Sequence, residues 1–362
     1  MALLCIETSC DETSIAIYEK DAWDSPEKDL KHYLKADIIS SQTKLHEAYG
    51  GVVPELAARE HLKNLPLLVE AACKDANCTL DDITHIAATQ GPGLNGCLLV
   101  GLTYAKGLAV GRSIPLLLAN HIEGHVFAAH LAENAASLTY PMLALIVSGG
   151  HTELVFSESF RRYEIIARTR DDAAGEAFDK TATLLGLPYP GGPALSKRAA
   201  LGDSTQFRFP VAVANDPKSF SFSGLKTAVA RKVEALGASS MSDEVIVNNL
   251  SASIERAIVD ALLEKAVTAC KRLRPKSFVL TGGVAANGLL RRELSSELQK
   301  LGIACLIPPP RWCTDNAAMI GALAVSIMRE GKAFDGDESL SAPSRPRWPL
   351  EILDSELQVH SS

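Results

Sequence analysis

The sequence predicts an α/β protein with an internally duplicated architecture, and three observations lead there. Apolar runs of strand length alternate with helical patterns, the mark of a mixed sheet flanked by helices. Two strand–polar turn–strand units recur about 140 residues apart, with low residue identity between them. Two glycine-rich turns, Val147-Ser-Gly-Gly150 and Thr281-Gly-Gly-Val284, each follow an apolar run.

Leu3-Leu-Cys-Ile-Glu7 is a short apolar run, Thr8-Ser-Cys-Asp-Glu-Thr13 a hydroxyl-rich tip, and Ser14-Ile-Ala-Ile-Tyr18 a second strand; together they predict a hairpin. Residues 21–35 are strongly charged and read as an extended hairpin connection or surface excursion. Further strands are expected at 83–88, 115–119 and 277–280, separated by helical patterns. Met142-Leu-Ala-Leu-Ile-Val147, Ser148-Gly-Gly-His-Thr152 and Glu153-Leu-Val-Phe156 repeat the hairpin design. Proline and arginine crowd residues 343–349, which predicts an extended segment laid over the surface, with the last dozen residues loosely held.

The composition narrows the function class. At 362 residues two domains are favoured over one, and 47% hydrophobic with 22% charged residues describes a globular chain with ample core. A net charge of −7 argues against a uniformly basic nucleic-acid surface, though not against a local patch. Candidate patches are Arg161-Arg162 with Arg168 and Arg170, Lys226 with Arg231-Lys232, Lys271-Arg272 with Arg274 and Lys276, and Arg291-Arg292; most such groups are solvated helix faces. Eight cysteines without a C-x-x-C predict no disulfide framework and fit a reducing compartment. No signal segment and no membrane-spanning run is read, so a cytoplasmic protein without membrane contact is expected.

His121-Ile-Glu-Gly-His125 places two imidazoles four residues apart, on one face of a helix and close enough to share one metal ion. The distant Asp315, in Cys313-Thr-Asp-Asn316, is a carboxylate able to complete the site. A zincin metalloprotease needs Glu directly after the first His; here it stands at Glu123, off the histidine face, which disfavours a protease. Thr281-Gly-Gly-Val-Ala-Ala-Asn287 leads from a strand into a helix, where glycines let backbone approach a ligand and a helix N-terminus attracts an anion. It fits neither the Rossmann nor the Walker spacing. Asp171 to Lys180 carries four carboxylates and one lysine on a helical pattern, with Asp172, Glu176 and Asp179 on one face and Lys180 pairing with Glu176. Like charges so close suggest a ligand or partner that offsets them.

Taken together, Ile6-Glu-Thr-Ser-Cys-Asp-Glu-Thr13, Gly50-Gly-Val-Val-Pro-Glu-Leu-Ala57, Gly91-Pro-Gly93, the His121/His125 pair, Val147-Ser-Gly-Gly-His-Thr152, residues 171–180, Ser221-Phe-Ser-Gly-Leu-Lys226, Gly282-Gly-Val-Ala-Ala-Asn287 and Cys313-Thr-Asp-Asn316 resemble the universal tRNA threonylcarbamoyladenosine family, in its bacterial TsaD-type branch. The resemblance runs from about residue 2 to about residue 349. It implies a duplicated two-domain sugar-kinase/actin/Hsp70-like fold closing over a cleft. The lobes would be residues 1–125 completed by 313–349, and residues 126–312, with 350–362 a flexible tail. It implies transfer of a threonylcarbamoyl group from threonylcarbamoyl-AMP to N6 of adenosine 37 in tRNAs reading ANN codons, with release of AMP.

By position, the resemblance implies metal ligation by His121, His125 and Asp315 and contacts to the nucleotide intermediate by Ile146, Val147, Ser148, Gly149, Gly150, Asp179, Gly192 and Asn287. Asp11 and Glu12, in the first hairpin tip, are the candidate catalytic carboxylates. Archaeal and eukaryotic cytosolic relatives carry a tyrosine where Ile146 stands, which places this chain with bacterial or organellar members. The cofactor would be one divalent ion per subunit, Fe2+ or else Zn2+. The partners would be tRNA with a paralogous TsaB-type subunit and a TsaE-type ATPase for a bacterial member, or a second copy for a mitochondrial one. The competing readings are a glycoprotein metalloprotease, an ATPase or small-molecule kinase of the same fold, and a non-catalytic scaffold. Kinases of this fold hold Mg2+ through carboxylates and phosphates, which leaves the histidine pair unexplained.

Overall fold

The computed structural model describes residues 1–25, 27–210, 216–331 and 336–351. They divide into two compact units, Met1–Ala136 with the segment from Arg311 onward, and Ser137–Pro310.

The first unit opens on the hairpin of β1 (Ala2–Glu7) and β2 (Glu12–Glu19). Every residue of β1 is buried, the pattern of a strand covered on both faces. The charged excursion contains a short helix, α1 (Asp21–Asp24), and a 3-10 turn at Leu30–Tyr33, after which β3 (Leu34–Ser41) pairs antiparallel with β2. A short α2 (Thr43–Glu47) precedes α3 (Pro54–Asp75), which starts on Pro54, a residue whose fixed φ suits the first helical turn. Then come β4 (Ile83–Gly91), α4 (Asn95–Arg112), β5 (Leu116–Asn120) and α5 (His121–Phe127). The sheet order is β3-β2-β1-β4-β5, with β4 parallel to both β1 and β5.

The second unit repeats this wiring. It runs through β6 (Met142–Val147), β7 (Thr152–Ser159), β8 (Arg162–Thr169), α6 (Ala174–Leu184), α7 (Gly191–Ala199), a two-residue β9 (Ser219–Phe220), α8 (Ser223–Leu236), α9 (Glu244–Leu273), β10 (Ser277–Thr281), α10 (Gly288–Lys300) and β11 (Ala304–Leu306). Its sheet order is β11-β10-β6-β7-β8-β9. Set β6, β7, β8, β10 and β11 beside β1, β2, β3, β4 and β5, and the order matches. So do the directions, antiparallel within each meander and parallel on the other side. The repeated hairpin in the sequence is therefore the visible part of a whole repeated sheet.

The chain returns to the first unit with α11 (Ala317–Arg329) and α12 (Gly336–Ser341). Residues 317–327 of α11 are all buried, so this helix is core on every side. A Cβ on Gly321 would stand 2.2 Å from Cε2 of Tyr18 and 2.8 Å from Sγ of Cys5, so only glycine lets α11 lie this close to β1 and β2. The Tyr18 hydroxyl then reaches the Ala318 carbonyl at 2.9 Å.

The proline-rich segment is extended, as expected, and well tied. Gln90 Nε2 donates to Pro343 O at 2.7 Å, Arg345 N to Gln90 O at 2.8 Å, and Asn120 Nδ2 to Trp348 O at 2.9 Å. Of the expected tail at 350–362, only Leu350, which is buried, and Glu351 fall within the described residues. All eight cysteines are free thiols. Among the described residues no helix is long and apolar enough to cross a membrane.

Candidate metal centre

Strand β5 ends on Asn120, and α5 begins with His121 as its first residue. Asn120 caps that helix, its Oδ1 accepting from Ile122 N at 2.9 Å and Glu123 N at 3.1 Å. One turn later His125 stands beside His121, ring centroids 4.7 Å apart and nearly perpendicular. Asp315 comes from a loop anchored at both ends. Before it, Arg311 pairs with Asp37 of β3, and Trp312 Nε1 donates to Asp37 Oδ2 at 2.8 Å. After it, Asn316 caps α11 through Met319 N at 2.8 Å and donates from Nδ2 to Thr314 O at 2.7 Å.

Both histidines aim at one carboxylate oxygen. His125 Nε2 lies 3.1 Å and His121 Nε2 3.5 Å from Asp315 Oδ1, and the three ligand atoms all fall within 4.8 Å of one another. His121 Nδ1 lies 3.2 Å from Glu7 Oε2, and since a carboxylate only accepts, Nδ1 carries the proton there. Its Nε2 faces Asp315, so either a second proton on the ring or a metal ion can occupy that gap. One proton bridges one such gap; a metal ion among the three satisfies all of them. Two imidazoles and a carboxylate are a donor set for a borderline divalent ion such as Fe2+ or Zn2+. Burial opposes a charged His121, yet the Asp315 and Glu7 carboxylates outweigh it and push this imidazole up to about 9. Burial instead holds His125 below the usual histidine range.

Asp11 and Glu12 belong to the same unit. Asp11 is buried at the hairpin tip, and its carbonyl accepts from Gln42 N at 3.1 Å. Burial first, then the Asp315 and Asp11 carboxylates, push the Glu12 carboxyl well above the usual range. Two further residues shape this region that the sequence reading missed. Glu7, fully buried, backs His121. His61 of α3 donates from Nε2 to Cys10 O at 2.9 Å and accepts at Nδ1 from the Thr13 hydroxyl at 2.7 Å, which pins the hairpin tip. Its signal was legible: it is the polar member of the buried α3 stripe Ala57, His61, Leu65, Val69, Ala72.

In the second unit, Ile146 and Val147 are fully buried in β6, Ile146 paired with both Glu153 and Thr281 and Val147 with Thr152. Gly149 and Gly150 are exposed, and nothing lies within 4 Å of where a Cβ would stand. Gly175 N at the start of α6 donates to Ser148 O at 3.1 Å. Gly282, at φ +91°, passes so close that a Cβ would meet Val147 O at 2.3 Å. Asp179, Gly192 and Asn287 converge on α7. Asp179 Oδ1 accepts from Gly191 N at 2.8 Å and Gly192 N at 3.2 Å. Asn287 Nδ2 donates to Ser196 Oγ at 3.0 Å and Glu255 Oε1 at 2.6 Å, while its Oδ1 caps α10 through Leu290 N at 2.9 Å.

The acidic run differs from its expected form. Helix α6 starts at Ala174, so Asp171 and Asp172 precede it and do not share its face. The protein itself offsets the charges. Asp171 accepts from Ser221 Oγ, Phe222 N, Ser223 N and Ser223 Oγ at the start of α8, and Lys180 pairs with both Asp172 at 2.8 Å and Glu176 at 2.7 Å. No external partner is needed to account for them.

Comparison with known proteins adds a family. The family model described as tRNA N6-adenosine threonylcarbamoyltransferase matches residues 34–322. The protein of that name from Synechococcus sp. is 47% identical over 333 residues, covering 92% of this chain and 89% of that one. The one from Thermosipho africanus is 44% identical over 337 residues, covering 92% and 97%. Among solved structures, HypF from T. kodakarensis matches with a TM-score of 0.59 at 14% identity, over 90% of this chain and 48% of that one. The Acidaminococcus fermentans (R)-2-hydroxyglutaryl-CoA dehydratase component A matches with a TM-score of 0.53 at 15% identity, over 91% and 98%. These two establish the fold alone, the actin-like α/β architecture that the family resemblance implied and with which the duplicated hairpins agree.

Proposed function

The chain belongs to the tRNA N6-adenosine threonylcarbamoyltransferase family and is an enzyme that forms threonylcarbamoyladenosine in tRNA, and on that premise we propose how it does so. The donor is threonylcarbamoyl-AMP and the acceptor N6 of adenosine 37 in tRNAs reading ANN codons. N6 attacks the carbamoyl carbon, the bond from that carbon to the phosphate oxygen breaks, AMP leaves with the electron pair, and N6 gives up one proton. The mixed anhydride is already activated, so the protein's task is positioning and charge neutralisation.

His121, His125 and Asp315 would hold one divalent ion, Fe2+ or alternatively Zn2+, which would supply Lewis acidity to substrate oxygens. The open turn Ser148-Gly149-Gly150 takes the adenylate phosphate through the backbone N–H groups of Gly149 and Gly150, Ser148 N donating to His151 O at 2.8 Å, with Ile146 and Val147 leading into it. Asp179, Gly192 and Asn287, bonded into α7, hold the neighbouring wall in shape. The N6 proton passes to one of the two hairpin-tip carboxylates, Asp11 or Glu12, a role supported by their place in the unit that carries the histidine pair. A TsaB-type subunit and a TsaE-type ATPase serve a bacterial member, and a second copy a mitochondrial one; tRNA binding by this acidic chain alone is weak and salt-sensitive. The cytoplasm is the expected compartment.

The observation that carries this reading is the convergence of two histidine nitrogens on one oxygen of Asp315, in the unit whose hairpin tip bears Asp11 and Glu12. The test incubates the metal-loaded chain with threonylcarbamoyl-AMP and an unmodified ANN-decoding tRNA, with and without the two partner proteins. Digested nucleosides are read by mass spectrometry, with His121→Ala as control. Threonylcarbamoyladenosine formed by the wild type and lost in the control supports the reading; equal product from both removes the metal from it.

A further inference from the structure

Glu7 is the only charged residue of β1, and it is fully buried. Burying a carboxylate is costly unless donors surround it. Here they do. Oε1 accepts from Ser9 N at 2.5 Å, while Oε2 accepts from the Thr89 hydroxyl of β4 and from His121 Nδ1 at 3.2 Å. Ser9 Oγ lies 3.1 Å from the same Nδ1. Among the described residues, the only ion-pair partner of Glu7 is His121. A carboxylate placed for stability alone would sit against a lysine or arginine, or be replaced by an apolar side chain in so apolar a strand.

We infer that Glu7 is a positioning residue of the metal centre: it holds His121 in the Nδ1–H tautomer, aims Nε2 at the ion, and supplies with Asp315 the second negative charge that balances a divalent cation. The inference rests on the metal reading of His121, His125 and Asp315. Its physics is general. A ligating histidine that donates its other N–H to a carboxylate is fixed in orientation and made a stronger donor, and loss of such a partner weakens metal binding by about 10–100-fold. Thr89 is part of the device, because its hydroxyl donates to Glu7 Oε2, the oxygen that also faces His121 Nδ1.

The test titrates the metal-free, full-length chain with Co2+ and follows both affinity and the visible ligand-field spectrum. Wild type, His125→Ala, Glu7→Gln and Thr89→Val are compared, and the fold of each is checked by circular dichroism and by melting in chelator. Binding by the wild type that His125→Ala abolishes upholds the metal site; its absence in the wild type overturns that site and this inference with it. Given the site, Glu7→Gln is expected to bind about 10–100-fold more weakly with an altered spectrum, and Thr89→Val to shift the same way by a smaller factor. A folded Glu7→Gln with wild-type affinity and spectrum overturns the inference. Should that variant not fold, Thr89→Val decides: a weaker constant supports the role of Glu7, and an unchanged one overturns it.

Discussion

Replacing Asp179 by alanine separates the two roles that its position suggests, substrate contact and architecture. Its Oδ1 takes the amides of Gly191 and Gly192, the first two residues of α7, whose own N-cap residue, Pro190, makes no side-chain bond. Asp179 thus does from a neighbouring helix what a capping side chain does locally. Loss of a cap costs about 0.5–2 kcal/mol, and a favourable charge at a helix N-terminus adds about 0.3–1 kcal/mol. Burial of Gly191 argues for the upper part of that range, because its freed N–H has little water to turn to. Part of this is returned, since burial already raises the Asp179 carboxyl above its usual range and marks the charged form as imperfectly solvated. The net expectation is about 2 kcal/mol, or roughly 4–8 °C in Tm for a unit of this size. Asparagine keeps the acceptor oxygen and should cost under about 1 kcal/mol. Thermal melting of the wild type, Asp179→Ala and Asp179→Asn measures this directly. Were Asp179→Ala to melt with the wild type while its KM for threonylcarbamoyl-AMP rose, the capping argument would be wrong and direct contact right.

Burial sets His130, stacked on Phe127 with centroids 5.6 Å apart, down at about 4. Its folded value lies below its unfolded one, so stability is full above pH 6.5 and falls as the unfolded chain takes up the proton. The loss is about 2 kcal/mol between pH 7 and pH 5, and denaturant titrations should find it reduced in His130→Leu. Removing metal with a chelator should lower the melting temperature of the wild type by the binding contribution, about 2.7 kcal/mol at an ion concentration 100 times the dissociation constant; His125→Ala should show no such shift by calorimetry. Gly321→Ala forces a methyl into the Tyr18 ring and should cost about 3 kcal/mol, read as a reduced denaturation midpoint; wild-type stability would mean that α11 stands further from the sheet.

The histidine pair and the repeated hairpin were legible because they depend on local periodicity alone: i, i+4 on a helix, apolar runs around a polar turn. The match of the two five-strand orders was not, because β3, β8 and β11 are partly buried strands whose pairing is decided by their neighbours. Glu7 lay hidden at the end of an apolar run, where a single acid reads as a strand boundary; its meaning comes from Thr89 and His121, far away in the chain. The acidic run misled for the complementary reason. Its neutralising groups, the α8 N-terminus and Lys180, were in view, but only the fold shows that Asp171 reaches residues fifty positions on.

The return of the chain to its first unit has a consequence for the order of synthesis. The segment Ser137–Pro310 is continuous and holds a whole sheet, whereas the sheet made first lacks α11 and Asp315 until the ribosome has passed residue 329. Domains that fold during synthesis do so as their sequence emerges. The middle of this polypeptide can therefore reach its final form while the beginning waits, its apolar β1–β2 face exposed to chaperones. A message truncated just after residue 310 would yield a protein whose second unit is complete and whose first lacks both its buried helix and Asp315. The cluster of His121, His125 and Asp315 is thus complete only after residue 315 has been translated.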